Sequence, residues 1–322
     1  MTAATSSAVT SELSLRDLLA AEEGLLILGA TGRQARLEIG WLLKSGDRVA
    51  AGVTPGRGGQ SVEGVPVYDS VIDALRRHRC SIAMNYAPAV AAADAAVEAF
   101  EAGVKVVVMS AEGVPLHRLA LAMAAARRNH ALLIGPNSQG LVVPGVGRVG
   151  CPGGSDPESR FRAGEVAVVS RSGGMTSELS MLIRSWGWGT SVQLALGGSP
   201  IVGTTLSEGV VLAQRDPSTR VAVVFGEPSG RQEHDLAEAV ESGRVTVPVV
   251  AMIAGRAVDA LPATLTFGHA PRAGSAGEQS VAGKLTALLA AGVKVATSLD
   301  GIRTALGELL AQPGDSREGM LP

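Results

Sequence analysis

Aromatic residues are scarce in this chain. Phe, Trp and Tyr make up 3% of its 322 residues, although 46% are hydrophobic. An interior without rings must be built from Val, Ala, Leu and Ile, the residues of buried parallel strands and the helices that cover them. Cysteine is scarcer still: Cys80 and Cys151 make no disulfide framework and no metal-ligand spacing, so a reducing, cytoplasmic setting is expected. There is no basic stripe and no run of like charge, and the formal net charge is -2. That argues against nucleic acid as a ligand, because a phosphate backbone needs clustered Lys and Arg. No apolar stretch approaches the roughly 18 residues that span a bilayer, so no membrane partner is expected. The opening MTAATSSAVTSE lacks the charged start and apolar core of a signal peptide. Residues 1–14 and 313–322 read as disordered tails.

What is present is alternation. LLIL (25–28) reads as a strand, 33–45 as a helix, and RVAAGV (48–53) as a second strand. SIAMNY (81–86), an alanine-rich helix over about 90–102, KVVVM (105–109) and ALLI (131–134) continue the series. The text then turns to CPGGSDPESRFRA (151–163), rich in Pro, Gly and charge, which we take as a linker. Beyond it EVAVVS, SVQLAL, RVAVVF and PVVAMIA alternate with helical patterns, and VKVAT and a final helix close the chain. The pattern predicts an α/β protein of two doubly wound, parallel-sheet domains, 1–150 and a smaller flavodoxin-like 164–312.

Five motifs carry chemistry. In LLILGATGRQA (25–35) a strand runs through glycines into a helix, the geometry that sets backbone N–H groups against a phosphate. A plain βα turn reads the same way. An NAD-type ligand favours an acid after the second strand; here Val53 is followed by TPGRGG, with Arg57 and no acid. That favours a ligand rich in phosphate. Tyr86-Ala87-Pro88 and Ser110-Ala111-Glu112-Gly113 end two further strands, the edge at which open α/β sheets bind ligands, although either could be an ordinary loop. VAVVSRSGGMTSE (166–178) places Ser172 and Gly173 where a strand gives way to a helix, either a well-capped start or a phosphoryl site. Glu227, in VFGEPSG, follows an apolar strand and is either solvated or available to orient an imidazole. His269 sits among small residues in TFGHAPRAGSAG, as a surface residue or as an uncrowded nucleophile. The other histidines lie in or beside polar helix faces.

In this order the motifs resemble the α subunit of succinyl-CoA synthetase and its relatives, the NDP-forming acyl-CoA ligases. The matches are GATGRQA, GVTPGRGG, the AEG after the fourth strand, IGPN, VVSRSGGMTSE, GGSPIVG, FGEPSG, FGHA and AAGVKVATSLDGI, spanning about 25–310. The resemblance implies a Rossmann-like CoA-binding domain followed by a ligase domain. It implies CoA contacts from Thr31, Gly32, Arg33, Gln34, Arg57, Ser110, Ala111 and Glu112. By position His269 is the phosphorylated histidine, Glu227 the glutamate that pairs with it, and Ser172 and Gly173 the helix start that helps hold the phosphoryl group. The nucleotide, ATP or GTP with Mg²⁺, is expected on a separate ATP-grasp β subunit, in an αβ or α₂β₂ assembly, and a small carboxylic acid is the substrate. The chemistry suits these residues, since a neutral imidazole with a pKa near 6.5 can attack phosphorus at neutral pH.

Four departures bear on substrate and activity. The family's Asn-Cys-Pro-Gly is Asn137-Ser138-Gln139-Gly140, and the tyrosine expected to contact the acid is Ser177. The lysine of TPGKGG is Arg57. After FGHA come Pro271, Arg272 and Ala273, and Glu278 and Gln279 replace a Lys-Gly pair. These changes open the choice of acid to relatives of succinate. Two rival readings are a non-catalytic CoA-binding subunit, favoured by the altered histidine loop, and an NAD(P)-dependent oxidoreductase, prompted by GATGRQA.

Overall fold

A computed structural model describes residues 13–21, 23–228, 230–255, 266–267, 270–271 and 280–311. His269 and the expected tails, apart from Leu13 and Ser14, lie outside the described residues. After a short helix α1 (Leu15–Ala20), the chain enters β1 (Leu25–Leu28), whose four residues are all buried. Burial on both faces explains the unbroken apolar run, each such side chain contributing roughly 1.5–3 kcal/mol. Then follow α2 (Arg33–Lys44), β2 (Val49–Val53), β3 (Ser61–Val62), β4 (Val65–Tyr68), α3 (Val71–Leu75) and β5 (Ile82–Asn85). Helix α4 (Ala89–Glu101), β6 (Val106–Met109), α5 (Leu116–Arg128) and β7 (Leu132–Ile134) complete this half. The alanines of α4, among them Ala92, Ala93, Ala96 and Ala99, let the helix lie close on the sheet.

The first sheet runs β3-β4-β2-β1-β5-β6-β7. Apart from β3, which is antiparallel to β4, its strands are parallel. The parallel strands, taken in chain order, lie 3-2-1-4-5-6, the Rossmann arrangement, and the order reverses between β1 and β5.

The remaining elements are β8 (Gly140–Val143), β9 (Gly147–Gly150), α6 (Pro157–Arg160), β10 (Ala163–Ser170), α7 (Gly173–Ser185), β11 (Thr190–Ala195), α8 (Leu206–Ala213), β12 (Val221–Gly226), α9 (Gln232–Glu241) and β13 (Val249–Ile253). After them come β14 (Thr266–Phe267), β15 (Ala270–Pro271), α10 (Val281–Ala290), β16 (Lys294–Val295) and α11 (Leu299–Leu310). The second sheet runs β16-β13-β12-β10-β11-β8-β9. Its parallel strands fall in the flavodoxin-like order 2-1-3-4-5, with the reversal at β10 and β12.

This sheet differs from the expected one at an edge. β8 and β9 form an antiparallel hairpin closed by Val143-Pro144-Gly145-Val146, and β8 pairs antiparallel with β11. Gly145 has φ 79°, which suits the third position of a Pro-Gly turn. The chain therefore crosses between sheets after Ile134, ahead of the expected linker at 151–163, and residues 140–150 belong to the second sheet.

Candidate functional site

The first candidate surface lies along the C-terminal ends of β1, β2, β5 and β6. Gly29 closes β1 at φ 74°, and a Cβ there would stand 2.7 Å from the Ala87 backbone nitrogen. Only glycine lets the β1 turn meet the β5 turn this closely. Gly32 caps α2 without a side-chain hydrogen bond, so its first-turn N–H groups remain open to a ligand. The Thr31 N–H donates to the Thr54 hydroxyl at 3.3 Å, which ties the β1 and β2 turns together. Thr31, Arg33, Gln34, Arg36, Leu37 and Glu63 line an open groove over this helix start. Arg57 is exposed in the neighbouring turn after β2. Ser110 donates its hydroxyl hydrogen to the Asn85 carbonyl at 3.1 Å, and Ala111 and Glu112 follow it. The eight positions expected to meet CoA thus lie on turns leaving one sheet edge or, for Arg33 and Gln34, at the start of the helix that follows.

Behind that edge lies a cluster the sequence does not announce. Glu38, buried on α2, accepts hydrogen bonds from the Tyr86 hydroxyl and from the Gln34 amide, the latter at 2.5 Å. Burial, with the Glu38 carboxylate beside it, holds the Tyr86 phenol well above its ordinary pKa. Tyr86 therefore remains a neutral donor that anchors Glu38, and Glu38 anchors Gln34. The Cys151 thiol, which contacts the Glu38 carbonyl at 3.6 Å, is likewise pushed up by burial and Glu38.

The second surface lies at the reversal point of the second sheet. β10 pairs with β12 through Ser170 and Phe225, so the turns beginning Arg171-Ser172 and Glu227 leave side by side. Ser172 caps α7, its hydroxyl accepting from the Met175 N–H at 3.4 Å, and the buried Ser170 hydroxyl accepts from the Ser172 N–H at 3.0 Å. Ser177 lies half-buried one turn into α7. Glu227 is 4% exposed, and one carboxylate oxygen lies 3.7 Å from Arg171 Nη1. Arg171 is 2% exposed and donates from Nη2 to the Gly198 and Ser199 carbonyls, at 3.4 and 3.2 Å. A buried cation thus sits between the turns after β10, β11 and β12. Strands β14 and β15 pair Phe267 with Ala270, on either side of His269 in the sequence.

Gly135–Gln139 joins the two edges. The Asn137 and Ser138 N–H groups donate to the Ala111 and Met109 carbonyls of the first half, at 2.9 and 3.1 Å. The Gly135 N–H donates to the Leu196 carbonyl of the second half at 3.0 Å, and the Ser138 hydroxyl to the Ala195 carbonyl at 2.5 Å. Gln139 lies on the start of α7: a Cβ at Gly173 would stand 2.5 Å from its side chain. The IGPN motif signalled this segment, but its part in linking the edges needs contacts made far along the chain. Among the described residues no group of three His, Cys, Asp or Glu could hold a metal ion, and no helix is long and apolar enough to cross a membrane.

Known proteins match these two edges in turn. A CoA binding domain family model matches residues 22–113 and a CoA-ligase model residues 169–295. A subunit of ADP-forming sulfoacetate–CoA ligase from an Acholeplasma species is 35% identical over 92% of this chain and 98% of its own length. The α subunit 2 of ADP-forming succinate–CoA ligase from Archaeoglobus fulgidus is 35% identical over 89% of this chain and 96% of its own. Among solved structures, Methanosaeta concilii ATP citrate lyase in complex with (3S)-citryl-CoA superposes with a TM-score of 0.81 and 25% identity, over 93% of this chain. The chain spans 53% of that lyase. On these grounds the chain belongs to the α-subunit family of the NDP-forming CoA ligases.

Proposed function

We propose that this chain is the α subunit of an ATP- or GTP-dependent ligase that joins a short carboxylic acid to CoA. The first half holds CoA, through Thr31, Gly32, Arg33, Gln34, Arg57, Ser110, Ala111 and Glu112. The second half carries the phosphoryl group on His269. A separate ATP-grasp β subunit binds the nucleotide and its Mg²⁺. The acid carries a second anionic group, as sulfoacetate and succinate do in the similar ligases named above, and meets Ser177.

His269 takes the terminal phosphoryl group of the nucleotide on a ring nitrogen, releasing the diphosphate. Glu227 accepts a hydrogen bond from the other ring nitrogen and so selects the tautomer that leaves the attacking lone pair free. Ser172, Gly173 and the start of α7 stabilise the phosphoryl oxygens, the helix dipole contributing roughly 0.3–1 kcal/mol. A carboxylate oxygen of the acid then attacks phosphorus, forming an acyl phosphate and restoring the free imidazole. The CoA thiolate attacks the acyl carbon, and inorganic phosphate leaves.

The observation that carries this reading is the meeting of Ser172, the start of α7 and the buried Glu227 at one reversal point, bonded through 135–139 to the turns after β6. The test is intact mass of the chain purified with its β partner, before and after Mg·ATP, for wild type and His269→Asn. One acid-labile phosphoryl group, absent from the variant, is expected. CoA binding without phosphorylation overturns the catalytic reading and leaves a CoA-binding subunit.

A further inference from the structure

The Glu227 main chain is gripped from two sides by a pair of charges that no motif contains. Glu233, in the first turn of α9, is 1% exposed, and its Oε1 accepts from the Glu227 N–H at 3.0 Å. Lys284, in the first turn of α10, is 0% exposed, and its Nζ donates to the Glu227 carbonyl at 2.8 Å. Lys284 and Glu233 also bond each other, Nζ to Oε2 at 2.6 Å. One ion pair therefore holds both polar groups of a single peptide position. Gly226 makes room for it: a Cβ there would stand 2.7 Å from Glu233 Oε1. Arg171 takes the Glu227 carboxylate from the other side at 3.7 Å.

Two buried charges are costly to desolvate, and an apolar pair of the same volume often serves stability as well or better. What an apolar pair lacks is a donor for the Glu227 carbonyl and an acceptor for its N–H. We propose that Lys284 and Glu233 are positioning residues for phosphoryl transfer: they fix the Glu227 main chain, and with it the direction of its carboxylate. The inference rests on the role of Glu227 given above. Lys284 adds a further constraint, because it lies in the helix that follows the histidine segment. The helix whose start adjoins that segment is thereby bonded to the turn bearing the histidine's partner.

The test uses the αβ complex and the single-turnover rate of His269 phosphorylation by Mg·ATP, read alongside CoA affinity and thermal melting. Glu233→Met with Lys284→Met removes both charges, the acceptor for the Glu227 N–H and the donor to its carbonyl at nearly constant volume. The double variant is expected to melt as a folded protein and bind CoA as wild type does, yet phosphorylate at least roughly tenfold more slowly. Adding it to Glu227→Gln is expected to slow transfer by less than about twofold beyond Glu227→Gln alone, since groups acting as one unit are not additive. A structural role alone moves melting and leaves the effects additive. If the double variant does not fold, Lys284→Met alone, which removes the donor to the Glu227 carbonyl, is read by the same criteria. Wild-type rates in the clamp variants beside a slow Glu227→Gln overturn this proposal only. A wild-type rate in Glu227→Gln itself overturns the role of Glu227 and this proposal with it.

Discussion

A side chain's neighbours decide what its ionisable group does, and the clearest residue-scale cases here are buried. Arg171 stands between two serines in the SRSGG motif and passes for a surface residue in the sequence. In the fold its guanidinium is 2% exposed, among carbonyls from one turn and a carboxylate from another. The place of Glu227 at the sheet edge was legible because it follows an apolar strand, and such strands deliver their next residue to a ligand edge, but its burial was not. Glu233 and Lys284 were not, because each falls in a helical pattern as an ordinary first-turn polar residue and they meet across 51 positions. Cys80 gives a residue-scale prediction. Burial, with Glu23 nearby, pushes its thiol from 9.0 up to about 12. The folded chain therefore keeps a proton that the unfolded chain loses first. Its contribution to stability is complete below pH 9.0 and falls as pH rises toward about 12. Urea midpoints measured from pH 8 to 11 should decline over that window for wild type and less for Cys80→Ala. Thiolate absorbance appearing near pH 9.0 in the folded chain would refute it.

At the scale of elements, the strands that were legible are those buried on both faces. LLIL, VVVM and VAVVFG are apolar without interruption because helices cover both sides of each sheet. The hairpin β8–β9 was hidden for the opposite reason: Gly140, Gly147 and Gly150 thin its side chains until no period of two remains. Its Pro144-Gly145 turn was the one available signal. The β1–α2 turn shows what glycine does at an element boundary. Gly29→Ala places a methyl group 2.7 Å from backbone in the β5 turn, at φ 74°. Backbone cannot step aside as a flexible side chain can, so the β1 and β5 turns must separate. We expect CoA affinity, measured by calorimetry on the isolated chain, to fall at least roughly tenfold while far-ultraviolet dichroism is retained. Unchanged affinity would mean that this crevice is not where CoA sits.

For the whole molecule, the doubly wound character of both halves was plain from alternation, and their crossover was not. The composition shift at 151–163 marks a polar connection, but the chain has already changed sheets by Gly140. Arg148, on β9 of the second sheet, shows how firmly the halves are joined. Its side chain is 1% exposed and pairs with Asp47 of the first half at 2.8 Å. It also donates to the Ser45 hydroxyl at 2.6 Å and to the Pro152 and Gly154 carbonyls at 3.0 and 2.6 Å. Arg148→Met leaves the Asp47 carboxylate with the Ser45 hydroxyl but without its cation and should cost about 3–5 kcal/mol in urea unfolding. Asp47→Asn with Arg148→Met should recover part of that loss, and a loss under about 1 kcal/mol would show the junction to be held elsewhere.

The early crossover also governs how the protein can be divided. A protease that nicks the chain at 151–163 leaves two strands of the second sheet, β8 and β9, on the N-terminal fragment. The pieces stay clasped, as in a split protein whose halves reassemble because each holds part of the other's sheet. Anyone expressing the first half alone should end it near Ile134, before the hairpin, since a fragment ending at Gly150 carries an unpaired strand edge and invites aggregation.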